Sequence, residues 1–365
     1  MALPLSLARS TYPRGIDWRV VGADAWAGHR YAMEAYTNSR AIVPKSARQI
    51  TGETFPGNLA YSHGVNLPDG RVFLVPYNAT TARIFDPSNN TFTTPAGTYP
   101  GNLAFGGGVL LRDGRVFLMP RSSSTARIYD PVSDTLTTPG GTYPGTANAL
   151  AGGVLMPDGR VYVAAFLSGS AYVYNPVSDT VTAYAGPWAT NFQVWGACLL
   201  PSGRVFVCPH GSTVAYAFNP ATNTFSTLGG TYPGIAGVLG GVTLPDGRVF
   251  TVPFNSTSGR IYNETTNATT TTAAIWPGSA SYGLACLLPD GTIAAGSQAD
   301  NRAVAIYNPY SDSITTIGPP GTGIVTLTAY GTALKVPSNP TFAVLFDVGR
   351  SFSPHTLLSA YHNKT

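Results

Sequence analysis

Charge is scarce in this chain. Only 10% of its 365 residues are Asp, Glu, Lys or Arg, against a usual share of about 25%. Lysine occurs only at Lys45, Lys335 and Lys364, and glutamate only at Glu34, Glu53 and Glu264. Long helices draw heavily on Glu, Lys and Ala, so this shortage excludes a mainly helical protein. Three cysteines (Cys198, Cys208, Cys286) imply no disulfide-stapled scaffold. Five histidines (His29, His63, His210, His355, His362) form no HxH or HExxH pattern, and no CxxC is present. No apolar run approaches the roughly 18 residues that a membrane-spanning helix needs. The opening MALPLSLARS lacks a basic leader and is interrupted by Pro4 and Arg9, so it reads as a poor signal peptide.

What charge there is has an uneven distribution. Residues 1–50 carry seven basic groups (Arg9, Arg14, Arg19, Arg30, Arg40, Lys45, Arg48) against Asp17, Asp24 and Glu34, which accounts for the net +4. The remainder sums to zero and holds no basic stripe, so nucleic-acid binding by the main body is not expected. Apolar residues make up 44% of the chain, enough for a large core despite 41 glycines and 30 prolines.

Repeats organise the rest. A Pro-Asp-Gly turn recurs with little variation, its glycines at Gly70, Gly114, Gly159, Gly203, Gly247 and Gly291, spaced 44, 45, 44, 44 and 44 residues apart. A period of this length filled with short strands predicts a β-propeller with one four-stranded antiparallel blade per repeat. In one copy, 105–111 is the inner strand and Asp113-Gly114 the hairpin turn, where Gly accepts positive φ. Residues 115–119 are the second strand, ARIYDP the third and TLTT the outer one. A degraded seventh copy follows around Gly331, where GTALKVPSNPTFAVLFD aligns with GRVFLMPRSSSTARIYD. Its outer strand is missing, and SARQIT at 46–51 stands where an outer strand should. The expectation is therefore an all-β, seven-bladed β-propeller over 46–348, its last blade closed by an N-terminal strand. A six-bladed ring with an extra hairpin is the alternative. Residues 1–45 form a basic arm and 349–365 a C-terminal tail.

The repeats resemble kelch and galactose-oxidase-like propellers through LPDGRVF (67–73, 244–250) and the IYDP and VYNP segments (128–131, 173–176). The Gly-Gly pair that kelch repeats place after the second strand is replaced here by Val75-Pro76, Met119-Pro120, Cys208-Pro209 or Val252-Pro253. The resemblance is thus one of fold, which does not give function. A galactose-oxidase copper site would need two tyrosines, two histidines and a cysteine linked to tyrosine, and the three cysteines all fall at strand positions that are apolar in other copies. No cofactor or metal is expected, and no enzyme activity.

Comparison between copies sorts scaffold from candidate site. Asp69, Asp113, Asp158, Asp246 and Asp290 share the hairpin turn, and Asp134, Asp179 and Asp312 share a second turn. No facing carboxylate pair of the kind a glycosidase needs is left over. Arg71, Arg115, Arg160, Arg204 and Arg248 follow the turn glycine, and Arg83, Arg127 and Arg260 share a third-strand position. Such repetition suggests bonding between blades.

Positions that differ between copies are free to serve a ligand. Seven residues after each turn glycine stand Tyr77, Arg121, Phe166, His210, Phe254 and Gln298. This loop and the link between blades share one face of a propeller, a shallow bowl of aromatic and polar groups suited to sugars or peptides. Neutral variation at loop tips fits the same pattern. The entry to the fourth blade, AGPWATNFQVWG, adds Phe192 and Trp195. Trp188 there reads as a displaced structural aromatic, equivalent to Tyr99, Tyr143, Tyr232 and Trp276, whereas Trp195 fits either packing or a ligand platform.

The arm residues Arg9, Arg14, Arg19, Arg30, Arg40 and Lys45 suggest docking onto an acidic partner surface. Composition and layout resemble a bacteriophage virion-associated fibre or adhesion protein: an arm attached to other proteins of an assembly, and a propeller face turned to a host-surface glycan or protein. A lectin-like propeller that is secreted or displayed on a cell surface is the alternative. A galactose-oxidase-like enzyme is a third reading, without the residues it needs.

Overall fold

The computed structural model describes residues 47–50, 60–86, 89, 91–188, 193–234, 236–276, 282–288, 290–297, 304–317 and 343–346. They form six four-stranded antiparallel sheets, each ordered as a simple meander, and one two-stranded sheet. The blades cover residues 61–93, 105–137, 150–185, 194–227, 238–271 and 282–317. In the second blade the strands are Phe105–Leu110, Val116–Pro120, Arg127–Asp130 and Thr135–Thr137.

Local chemistry makes each blade. The hairpin glycines adopt φ between 80° (Gly291) and 90° (Gly70), a region that a side chain opposes. Asp113 Oδ1 accepts the Arg115 backbone N–H at 3.1 Å, while Leu111 and Arg115 close the turn at 2.7 Å. Every inner strand carries a register shift near its start, such as that between Val194 and Ala197. Such bulges increase local twist.

Packing happens between blades rather than within them. The second strands VFLVP, VFLMP, VYVAA, VFVCP and VFTVP are buried at every position. A strand covered on both faces needs no polar alternation. Each sends an aromatic ring against a third-strand ring of the next blade: Phe73 on Tyr129 at 4.8 Å, Phe117 on Tyr174 at 4.7 Å and Phe250 on Tyr307 at 4.7 Å. Tyr162 meets Phe218 at 5.3 Å and Phe206 meets Tyr262 at 5.4 Å in the same way. Trp188 is buried with Tyr99, Tyr143, Tyr232 and Trp276, in the packing role expected of it. The three cysteines are buried free thiols.

A polar staple accompanies the rings. Asp134, at φ 51°, accepts the Tyr129 hydroxyl at 2.9 Å and the Ala96 N–H of the preceding blade at 3.0 Å, both on Oδ1. Asp179 holds Tyr174 and Gly140 in the same way, Asn267 holds Tyr262 and Gly229, and Asp312 holds Tyr307 and Ala273. Burial and the neighbouring carboxylate raise the pKa of Tyr129, Tyr174 and Tyr307. The second-turn aspartates are thus more than turn formers: they clamp neighbouring blades.

The expectation of seven four-stranded blades is corrected, because the described residues form six. The strand Ala47–Ile50 pairs with Ala343–Phe346, Ala47 opposite Phe346, and the two make a two-stranded sheet rather than a blade. The residues around Gly331 lie outside the described ones. The physical reason is in the seventh copy itself. Lys335 stands four residues after Gly331, where the six blades bury Leu74, Leu118, Val163, Val207, Thr251 and Ala295. A second strand buried between blades does not accommodate an unpaired ammonium group.

Candidate functional site

In five of the six blades the second strand ends at Pro76, Pro120, Ala165, Pro209 or Pro253. The next residue is pinned the same way five times. Tyr77, Arg121, Phe166, His210 and Phe254 donate their backbone N–H to Ala60, Ala104, Ala149, Gln193 and Gly237, at 2.7 to 2.9 Å. One backbone geometry therefore presents four kinds of side chain at five equivalent places.

These side chains meet. The Arg121 guanidinium carbon lies 4.7 Å from the Trp195 ring centroid, 5.4 Å from Tyr77 and 5.7 Å from Phe166. Phe166 stands edge-on to Trp195 at 4.3 Å. His210 contacts Phe166 at 5.8 Å, Trp195 at 5.6 Å and Phe254 at 6.3 Å. Six variable residues from five blades thus form one connected arc. Phe192 and Gln298, expected on the same face, lie outside the described residues, as do Arg9, Arg14, Arg19, Arg30, Arg40 and Lys45 of the arm.

Trp195 enters through the inner-strand bulge of the fourth blade, where Val194 pairs with Pro209 and Ala197 with Val207. Gly196 follows at φ 74°, and its positive φ turns the chain back into register. Equivalent bulge positions hold Ser62, Gly106, Ala151, Leu239 and Gly283. Tryptophan at this position is specific to one blade, which separates Trp195 from the repeated structural aromatics.

Two polar groups are fixed in the arc. Arg121 donates Nε–H to Asn148 Oδ1 at 2.8 Å and lies over the Tyr77 ring. Only 9% of Arg121 is exposed, and burial lowers its pKa. His210 Nδ1 lies 2.7 Å from the Val238 carbonyl oxygen. A carbonyl only accepts, so Nδ1 carries the proton and the neutral ring keeps Nε2 as an acceptor. Burial lowers the His210 pKa below 6.5, so the ring is neutral at pH 7.

Asn148 is the member that comparison of copies did not single out. It sits in the link between blades at φ 57°, its N–H held by Ser122 Oγ at 3.0 Å. Asparagine tolerates this left-handed conformation better than most residues, and that preference was the available signal.

Elsewhere the charged side chains are engaged. Asp69, Asp113, Asp158 and Asp246 pair with the arginine two residues on at 2.6 to 2.7 Å. In the fourth blade Ser202 replaces the turn Asp, and Glu264 of the fifth blade meets Arg204 at 2.7 Å instead. Arg160 also reaches Asn223 and the Pro220 carbonyl of the next blade. Bonding between blades therefore holds for Arg160 and Arg204. Arg83, Arg127 and Arg260 instead bond Thr94, Thr125 and Ser258 of their own blades. Among the described residues, no group of three or more His, Cys, Asp or Glu is placed to hold a metal.

No protein-family model matches the chain, and no curated protein matches it significantly. Solved structures do. A streptogramin B lyase superposes with a TM-score of 0.66 at 10% identity, over 82% of this chain and 96% of its own. A catalytically inactive histidine-to-alanine variant of virginiamycin B lyase from Staphylococcus aureus, solved with quinupristin, gives 0.63 at 10% identity, over 75% and 88%. A fungal alcohol oxidase of the AA5 family, in complex with copper, gives 0.56 at 15% identity, over 76% and 68%. At these identities the likeness is one of architecture, and what this chain shares with the lyases and the oxidase is the β-propeller fold.

Proposed function

We propose that this chain is a non-enzymatic binding propeller, the adhesive module of a larger assembly, and that its variable face takes a glycan on the Arg121–aromatic arc. The observation that carries this reading is the convergence of Tyr77, Arg121, Phe166, Trp195, His210 and Phe254 at positions where the copies differ. Half-buried aromatic rings offer flat faces to the C–H face of a sugar, and Asn148 and Arg121 offer polar groups beside them. Among the described residues, Asp69, Asp113, Asp158 and Asp246 are tied to turn arginines, Glu264 to Arg204, and Asp134, Asp179 and Asp312 to staples. In this reading the basic segment 1–45 docks onto the rest of the assembly.

A glycan array with the full chain tests this. The expected result is a defined set of bound glycans, a signal lost in Trp195→Ala and Phe254→Ala, and an unchanged signal after deletion of residues 1–45, which removes attachment to the assembly instead. An empty array, or a signal indifferent to both ring substitutions, sinks the reading.

A second reading has one observation in its favour. His210 is buried and neutral, with Nε2 left as a proton acceptor, and the propeller neighbours include a lyase inactivated by loss of a histidine. Incubation with quinupristin, followed by mass spectrometry, separates the two readings. Consumption of quinupristin that His210→Ala abolishes would favour lyase chemistry.

A further inference from the structure

Arg121 is a cation held out of water without a counter-charge among the described residues. The residue is 9% exposed. The carboxylates that pair with arginines among the described residues are those of Asp69, Asp113, Asp158, Asp246 and Glu264, and none pairs with Arg121. The contrast with the hairpin side is internal to the protein. There each turn arginine has a carboxylate, and where Ser202 fails to supply one, Glu264 is brought from another blade. Arg121 receives an amide oxygen and three ring faces, those of Tyr77, Phe166 and Trp195.

Cation–π contacts offset part of the cost of burying a guanidinium, but they bring no negative charge. Asn148, Tyr77, Phe166, Trp195, Phe254 and the neutral His210 add none either. The arc therefore carries one net positive charge in a weakly hydrated setting, where an arriving carboxylate gains most. Arginine has five N–H donors in a planar fork, and a carboxylate fits that fork with two parallel hydrogen bonds. Phe166 and His210 fill the base of the arc, leaving a shallow platform whose half-buried rings are Trp195, Tyr77 and Phe254.

We infer that the ligand is an acidic saccharide, its carboxylate received by the Arg121 guanidinium and its sugar ring laid against the half-buried aromatic rings. This rests on the reading that the face binds glycans, and it names the class.

The test uses matched pairs of oligosaccharides, each uronate- or sialyl-terminated member beside its neutral counterpart, titrated calorimetrically against the full chain. The acidic member should bind about 10- to 100-fold more tightly, the range of a charge-assisted hydrogen-bonded contact. The preference should shrink as salt rises. Arg121→Gln should abolish it, and Arg121→Lys, which keeps charge but loses the fork, should retain only part of it. Thermal melting checks that the variants fold. If they do not, the wild-type preference and its salt dependence still decide. Equal binding of neutral and acidic members, or a preference for sulfated over carboxylated ones, overturns the inference while the glycan reading stands. If no saccharide of either kind binds, both fall.

Discussion

The hairpin side of the propeller and the loop side use one backbone plan for opposite ends. On the hairpin side the same residues recur in the same geometry, and each turn arginine is answered by a carboxylate. On the loop side the backbone is pinned as regularly, yet the projecting side chain changes from Tyr77 to Arg121, Phe166, His210 and Phe254. Regular backbone with repeated side chains is scaffold. Regular backbone with unrepeated side chains costs the scaffold nothing and leaves chemistry free to differ, and there Arg121 is buried with no counter-charge among the described residues.

The largest effect should come from breaking a staple. Asp179 Oδ1 accepts two donors from two blades, the Tyr174 hydroxyl and the Gly140 N–H. Asp179→Ala leaves both unanswered and forces alanine into φ 53°. A loss of about 2–4 kcal/mol in chemical denaturation is expected. Asp179→Asn should cost far less, because Asn267 makes the same bonds in the fifth blade. Equal losses in both variants would show that the clamp is not a hydrogen-bonding device.

Next in size is the charge borrowed by the fourth blade. Glu264 accepts from Arg204 and from the Ser202 hydroxyl and N–H. Glu264→Ala should destabilise by about 1–2 kcal/mol. Adding Ser202→Asp restores the Asp–Arg pair found in four other blades and should recover most of that loss. No recovery in a double-mutant cycle would mean that the two carboxylate positions are not interchangeable.

The smallest effect belongs to the loop side and to pH. Burial lowers the His210 pKa below its ordinary 6.5. Its neutral form is the one the fold accommodates, so its contribution is fully present above 6.5 and is lost as pH falls through the lower folded value. Thermal stability should therefore fall as the pH drops below about 6.5, and His210→Gln should flatten that slope. An identical acid slope in the variant would place the titrating group elsewhere.

Much of this was legible because it is local. A turn needing φ near 85° marks itself with glycine, and a strand covered on both faces marks itself with an unbroken apolar run. Variation at a fixed offset from each turn glycine pointed to the members of the arc. Other features could not be read that way. The partnership of Ser202 with Glu264 spans 62 residues and two blades. Asn148 contributes through a contact with Arg121, and Trp195 could not be assigned until the bulge showed where it enters. The blade count needed correction because a degraded copy still aligns by pattern while placing Lys335 at a position that all six blades bury.

The sequence by itself determined the repeat unit, its strands and turns, and which positions are held constant, since each follows from steric and hydrophobic rules acting within about 44 residues. Only the tertiary structure decided how many blades close, which carboxylate answers which arginine, and that one arginine is left among aromatic rings. Those outcomes depend on side chains from different repeats meeting across blade interfaces, where neither spacing nor composition carries the pairing.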